Sequence, residues 1–298
     1  MITSGILVMN KPQGFTSFDV IGKLRGILKI RRLGHTGTLD PMAEGVLPVL
    51  IGTAARACDI LPDETKTYRA GFQLGTVTDT QDSTGNVLET HAAAVSEAEL
   101  LAAIPPFCGE IRQIPPMYSA VQINGKRLYE LAREGKEIER PARTVQVERI
   151  SLLQYDAAAG CGTVEIVCGK GTYVRTILHD IGGALGCGAC MTSLVRTAAC
   201  GFSIEEAHTF ETVQQAADSG TLETLIVPTD RLFTALPALR ISAAQTRLYR
   251  NGVKLDLERV RGISADVQRY RVYGDDQSFL GLAEADHAAG CLRVYKNL

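Results

Sequence analysis

The chain has 298 residues, room for two domains, and 45% of them are hydrophobic, enough to bury a sizeable core. Charged residues, at 21%, are near the globular average, and no apolar run nears the about 20 residues of a membrane span, so disordered, fibrous and helix-spanning membrane classes are excluded. A net charge of -2 counts against a uniformly basic nucleic-acid binder, but the charges are grouped. Lys23, Arg25, Lys29, Arg31 and Arg32 form one basic run, a second extends from Lys126 to Arg143, and a third from Arg247 to Arg261. Such runs are either ordinary solvated faces or a polarised surface that the neutral total hides.

In chain order, Gly5–Met9 reads as a short strand, followed by a reversal at Asn10-Lys11-Pro12-Gln13-Gly14. Thr16 or Ser17 can cap a helix to about Lys29, with Val20, Ile21, Leu24, Ile27 and Leu28 on one face. Gly34 to Pro41 is a loop by composition. Ala43–Gly52 is apolar and broken by Gly45 and Pro48, and fits a buried helix as well as a buried strand. Thr65–Leu74 alternates as a strand, and Thr78–Gly85 is a polar loop. Ser96, with Glu99 at the capping-box position, starts a helix that Pro105-Pro106 ends. Pro115-Pro116 opens an irregular stretch to Gly125, and Leu128–Gly135 is helical. Val145–Tyr155 and Gly162–Cys168 alternate as strands, and Thr172–Leu185 is a helix with Val174, Ile177, Leu178 and Ile181 on one face. Composition shifts around Pro228–Pro237. Beyond it, Val267–Tyr273, Phe279–Ala285 and Cys291–Tyr295 read as strands of a small β module.

The eight cysteines follow no export signal, since Met1 to Asn10 lacks a charged leader, so the thiols are expected reduced in a cytoplasmic protein. Cys187-x-x-Cys190 has ligand-like spacing but no second pair, and small buried hydrophobes are the preferred reading over a metal site.

Three constellations could carry chemistry. In Gly34-His35-Thr36-Gly37-Thr38-Leu39-Asp40-Pro41, two glycines let the backbone approach a ligand, and Pro41 stiffens the chain beside a carboxylate. Asp40 there is either a nucleophile or acid/base, or a cap for the following segment. In Cys168-Gly169-Lys170-Gly171-Thr172-Tyr173-Val174-Arg175, a strand meets a helix through a Gly-rich turn. The spacing is not that of a nucleotide-binding phosphate loop, because Val164 stands where its first glycine belongs and Gly171 follows the lysine. Arg175 could pair with a buried carboxylate in bidentate fashion, and Tyr173 could stack on a base, or both could lie on the helix surface. Tyr68 in mid-strand and Tyr118 after the Pro-Pro turn are candidates for base stacking or for core packing.

The first of these segments, with Gly45-Val46-Leu47-Pro48 after it, resembles the signature motif of the tRNA pseudouridine synthase B family. Four further segments match in the same order: Asn10 to Gly14, Lys66-Thr67-Tyr68, Pro115-Pro116-Met117-Tyr118-Ser119-Ala120, and Lys170 to Arg175. The match runs from about residue 5 to 200. One departure is Gln122, where the family usually has Lys. The resemblance implies an α/β (α+β) fold with a mixed, largely antiparallel sheet over residues 1–232, interrupted by an RNA-binding insertion at about 112–143. Residues 233–298 would form a PUA-like RNA-binding module.

It also implies an isomerase that turns uridine 55 of the tRNA T-loop into pseudouridine. Asp40 is the essential carboxylate, Arg175 its orienting partner, and Tyr68 stacks on the uracil and helps remove the C5 proton. Tyr173 and Leu194 line the pocket, His35 orders the space left by the flipped nucleotide, and Lys11 and Tyr118 are further substrate contacts. The reaction breaks N1–C1′ and joins C5 to C1′; nothing is oxidised and no group enters or leaves, so no cofactor, nucleotide or metal is required. The carboxylate can attack C1′ or C6, or abstract a sugar proton, and all three routes stay open. The expected partner is the T-arm stem–loop of tRNA, met by a monomer away from membranes. Two competing readings use the same features: a non-catalytic tRNA-binding and folding chaperone, and a phosphate-handling enzyme built on the Gly-rich loops.

Overall fold

The computed structural model describes residues 4–123 and 125–298. Met1 to Thr3, and Asn124 within the expected irregular stretch, lie outside the described residues. The chain opens with β1 (Ser4–Lys11), α1 (Ser17–Leu28), β2 (Leu33–His35), β3 (Glu44–Gly52) and β4 (Lys66–Leu74). Of the two candidates Thr16 and Ser17, Thr16 caps α1, through a reciprocal box with Asp19. The ambiguous apolar run is the strand β3. Its ambiguity has a physical cause: β1 and β3 are buried on both faces, so neither shows alternation. One face meets Val20, Ile21 and Leu24 of α1; the other meets Ala54, Phe202 and Phe233.

Next come β5 (Thr76–Thr78), β6 (Val87–Thr90), α2 (Glu97–Ala103), β7 (Gly109–Gln113), β8 (Gln122–Ile123), β9 (Lys126–Arg127), α3 (Leu128–Arg133), β10 (Arg143–Asp156), β11 (Cys161–Cys168) and α4 (Val174–Ala184). Strands β7 and β10 join at Gln113 opposite Arg143, and the chain between them makes an excursion carrying the β8–β9 hairpin and α3.

The large sheet and its helices close with β12 (Ala189–Ala199), β13 (Phe202–Ser203) and α5 (Phe210–Asp218). The large sheet has the order β1-β3-β12-β4-β11-β10-β7. All its neighbours are antiparallel except β3 and β12, which pair in parallel at Glu44–Gly45 with Val195–Arg196. The mixed, largely antiparallel sheet is therefore present. Helix α4 covers the face holding Tyr68, Ala70, Phe72 and Leu194, burying Ile177, Leu178 and Ile181 there.

The C-terminal module consists of β14 (Ala238–Arg240), α6 (Ala243–Arg250), β15 (Leu255–Asp256), β16 (Arg269–Tyr273), β17 (Phe279–Asp286) and β18 (Cys291–Asn297). Its five strands form a second sheet, ordered β14-β16-β17-β18-β15. It also includes a helix, because Ser242 and Gln245 form a capping box ahead of α6. The eight cysteines are free thiols. Among the described residues no helix is long and apolar enough to cross a membrane, and no group of three His, Cys, Asp or Glu could hold a metal ion.

Candidate active site

A cavity of about 440 Å³ opens between the β2–β3 loop, the end of β11, the start of α4 and the root of the insertion. Asp40, Tyr68, Tyr173, Arg175 and Leu194 line it, together with Ser119, Ala120 and Val121. Five of the eight residues singled out from the sequence thus meet in one place.

The loop that presents Asp40 is held at several points. The Leu39 amide donates to the Ser17 hydroxyl at 2.8 Å, and the Thr36 amide to the Pro48 carbonyl at 3.2 Å. The Ala43 amide closes a turn on the Asp40 carbonyl at 3.0 Å, and the Gly14 amide reaches the Pro41 carbonyl at 2.8 Å. This backbone fixing leaves the carboxylate free to face the cavity, with its side chain 38% exposed.

Arg175, 5% exposed, carries the site's positive charge. Its Nη2 lies 3.0 Å from Asp40 Oδ2 and donates to the Tyr118 carbonyl at 2.7 Å. Its Nη1 faces Asp82 Oδ2 at 3.7 Å and donates to the Thr80 carbonyl at 3.4 Å. The expected bidentate pairing with one carboxylate is replaced by a different carboxylate at each arm. A buried guanidinium shared this way meets Asp40 through one carboxylate oxygen and leaves the other without an Arg175 contact.

Asp82 is a residue that sequence reasoning missed. Its carboxylate is buried and takes Thr80 Oγ1 at 2.8 Å and the Thr84 amide at 3.0 Å, so it is anchored before Arg175 arrives. Gln113 was missed as well. Buried at the insertion's root, it donates from Nε2 to the Tyr173 carbonyl at 3.1 Å and accepts the Tyr173 amide at 3.0 Å. Those two bonds set the backbone of Tyr173, and α4 begins one residue later rather than at Thr172.

Tyr68 is buried at mid-β4 with its ring toward the cavity. Burial pushes its hydroxyl above the usual phenol range, and the Arg196 cation pulls it back. Leu194 stands beside it on β12, opposite Ala70.

The other three residues lie outside the cavity wall. His35 ends β2; its buried Nδ1 has no hydrogen-bond partner, and burial holds its ring below the usual imidazole pKa. Tyr118 is half-buried and meets the site through its carbonyl. Lys11, expected as a substrate contact, is instead fully buried. Its Nζ donates to the carbonyls of Phe15 at 2.6 Å, Pro12 at 2.9 Å and Pro41 at 3.5 Å, tying the first turn to the residue after Asp40. Burial lowers its pKa to about 8.

A family model for the TruB family pseudouridylate synthase N-terminal domain matches residues 25–174, and one for the tRNA pseudouridylate synthase B C-terminal domain matches residues 175–234. The chain belongs to the TruB family of pseudouridylate synthases. It is 42% identical over 283 residues to tRNA pseudouridine synthase B of Thiobacillus denitrificans, covering 95% of this chain and 92% of that one. It is 40% identical over 304 residues to the protein of the same name from Lachnoclostridium phytofermentans, covering 98% and 99%. The five-stranded module lies beyond both family models but within the span shared with that second relative.

Among solved structures, a Cbf5-Nop10-Gar1 complex contains a chain similar to this TruB-family protein, with a TM-score of 0.72, 26% identity, and coverage of 95% and 78%. An H/ACA RNP bound to a substrate RNA containing 2'-deoxyuridine shares the fold with a TM-score of 0.73 at 23% identity, covering 98% and 84%. The fold and the pseudouridine synthase class indicated by the sequence motifs are thereby established.

Proposed function

We propose that this TruB-family enzyme converts uridine 55 in the T-loop of tRNA to pseudouridine, with Asp40 as the carboxylate that opens the glycosidic bond. The observation that carries this reading is the Asp40–Arg175 pair at 3.0 Å, placed on the wall of a cavity that Tyr68, Tyr173 and Leu194 also line. A flipped uracil there meets a flat ring, apolar walls and one ionised oxygen, and every other group needed by the isomerisation comes from the RNA.

The proton balance is internal to the base. The N1–C1′ bond breaks, the C5–C1′ bond forms, one proton leaves C5 and one is added at N1. Tyr68, whose ring faces the cavity, helps remove the C5 proton. Extracting a T-loop base costs a few kcal/mol, and stacking on aromatic rings, at about 1–3 kcal/mol each, offsets it.

Residues 1–232 act as the catalytic body, residues 112–143 as an RNA-binding insertion, and residues 233–298 as a PUA-like module that adds RNA contacts. The enzyme works as a monomer on the T-arm, in the cytoplasm with its tRNA. Tyr173 and Leu194 hold the base, Tyr118 contacts RNA from the insertion, and His35 orders the vacated stack.

The test is release of tritium from [5-³H]uridine in a T-arm stem–loop RNA, with wild type and Asp40→Asn compared. Release by wild type alone supports the reading. No release from either protein, with RNA binding intact, moves the function to tRNA binding and folding without chemistry.

A further inference from the structure

Arg196 is the largest side chain with no exposed surface among the described residues. A buried guanidinium needs acceptors for its donors. Here Nε donates to the Val46 carbonyl at 2.7 Å, Nη2 to the Gly37 carbonyl at 3.2 Å and Nη1 to the Thr38 carbonyl at 3.5 Å. All three acceptors belong to the stretch of chain that carries Asp40. No carboxylate reaches Arg196 within the 4.0 Å of an ion pair among the described residues.

Arg196 also stands directly opposite Tyr68 across β12 and β4. Opposed residues of antiparallel strands place their Cβ atoms about 4.5–5.5 Å apart on one face of the sheet. Arg196 thus shares a face of the sheet with Tyr68, and its charge works against the burial that pushes the Tyr68 hydroxyl above the usual phenol range. Two glycines of the signature motif make room for this arrangement. A Cβ on Gly37 would come 3.7 Å from Arg196 Nη1 and 3.2 Å from Lys66 Cε, and one on Gly45 would come 2.2 Å from the Arg196 carbonyl oxygen.

We propose that Arg196 is a positioning residue for the isomerisation: one buried guanidinium braces the Asp40 loop from the strand opposite Tyr68 and sets a fixed cation on the Tyr68 face of the sheet. The proposal rests on the reading of the site as a uridine isomerase. Arg196 acts through Asp40 and Tyr68, since it stands behind the cavity wall and is not part of it.

The charged surroundings favour this role. Tyr68 is faced by Arg196 on β12, Cys168 on β11 and Asp40 on the loop. Around Arg196 lie Lys11, His35 and Lys66, each of which burial, with the Arg196 charge added, makes easier to neutralise. Arginine does not deprotonate in proteins, so Arg196 is the cation that persists beside Tyr68 across working pH. A fixed cation next to a phenol favours its ionised form.

The experiment measures tritium release from the stem–loop against pH for Arg196→Lys and Arg196→Gln, each alone and with Tyr68→Phe. Thermal unfolding and RNA affinity are measured alongside. Arg196→Lys keeps a buried cation but loses the fork that reaches three carbonyls. It is expected to fold and bind RNA as wild type does, with kcat reduced about 100-fold, KM unchanged and the pH profile displaced to the alkaline side. In the Tyr68→Phe background the same change is expected to cost less than it does alone, because the part that passes through Tyr68 is already lost and the part that passes through the Asp40 loop remains.

Unchanged kcat overturns the proposal. So does a loss of kcat with the wild-type pH profile that multiplies in full with Tyr68→Phe, because packing alone then explains it. If Arg196→Gln does not fold, Arg196→Lys carries the same comparison. Wild type that releases no tritium overturns the functional reading and this proposal together, whereas active wild type with active Arg196 variants overturns this proposal alone.

Discussion

Replacing Arg175 by Lys separates charge from geometry at the centre of the site. Arginine serves two places at once: Nη2 meets Asp40 at 3.0 Å and the Tyr118 carbonyl at 2.7 Å, while Nη1 meets Asp82 at 3.7 Å and the Thr80 carbonyl at 3.4 Å. Lysine has one nitrogen and can serve one of those places. If it stays with Asp40, the buried Asp82 carboxylate loses its cation; if it moves to Asp82, the reacting carboxylate loses its orientation.

Leaving a buried acceptor unmet costs about 1–3 kcal/mol. At about 2–4 °C per kcal/mol for a chain somewhat shorter than this one, Tm should fall by roughly 2–10 °C. Misplacement of a reacting group by about 1 Å costs about 100-fold in rate, equivalent to about 2.7 kcal/mol on the barrier. The expected outcome for Arg175→Lys is a tritium-release rate down about 100-fold with RNA binding retained. Wild-type turnover in a variant with a lowered Tm would refute the reasoning, since Arg175 would then serve stability alone.

Three further outcomes follow from the same geometry. Gly45→Ala places a methyl 2.2 Å from a backbone oxygen at a φ of +104°, and should lower unfolding stability in urea by about 2–5 kcal/mol; an unchanged midpoint would contradict the close β3–β12 pairing. Lys11, with its pKa lowered from 10.5 to about 8, binds fewer protons in the native state than in the unfolded chain between those values, so its contribution to stability rises with pH across that window. Urea unfolding of wild type against Lys11→Met should show wild type gaining relative to the variant from about pH 8 to 10, and a constant difference would contradict the buried ammonium. Gln113→Ala removes both bonds that fix the Tyr173 backbone, worth together about 2 kcal/mol, and should raise KM for the stem–loop about tenfold; unchanged KM would mean Tyr173 needs no such support.

What could be read in the sequence was whatever repeats at short range. The cap of α2 was legible because Ser96–Glu99 closes on itself within three residues, while at α1 the sequence left Thr16 and Ser17 as alternatives. The strand β4 was legible because Tyr68, Ala70 and Phe72 alternate over one buried face. By contrast, β12 sits at the centre of the sheet and shows no usable period. Register shifts between Met191 and Ser193, and again between Arg196 and Ala198, swap the inward face twice within eleven residues. Each bulge costs the alternation that identifies a strand, and the first serves the site by setting Leu194 opposite Ala70 and Arg196 opposite Tyr68.

The site divides along the same line. Asp40, Tyr173 and Arg175 became candidates because they stand in motifs dense with glycine and functional groups, and Tyr68 because it stands in an alternating strand. Asp82 and Gln113 did not, because each acts through a partner 93 or 60 residues away, across a contact that no local spacing records. Lys11, expected as a substrate contact on the resemblance alone, has its ammonium on three carbonyls. Asp40 stands on an irregular loop, and irregular backbone leaves carbonyls without partners. Lys11 on β1 reaches the Pro41 carbonyl and Arg196 on β12 those of Gly37 and Thr38, while Arg175 on α4 meets the Asp40 carboxylate itself. Substituting Lys11 or Arg196 by a neutral residue of similar size should therefore loosen the loop through its backbone, whereas a neutral residue at Arg175 should leave the loop backbone in place and strip the charge beside Asp40.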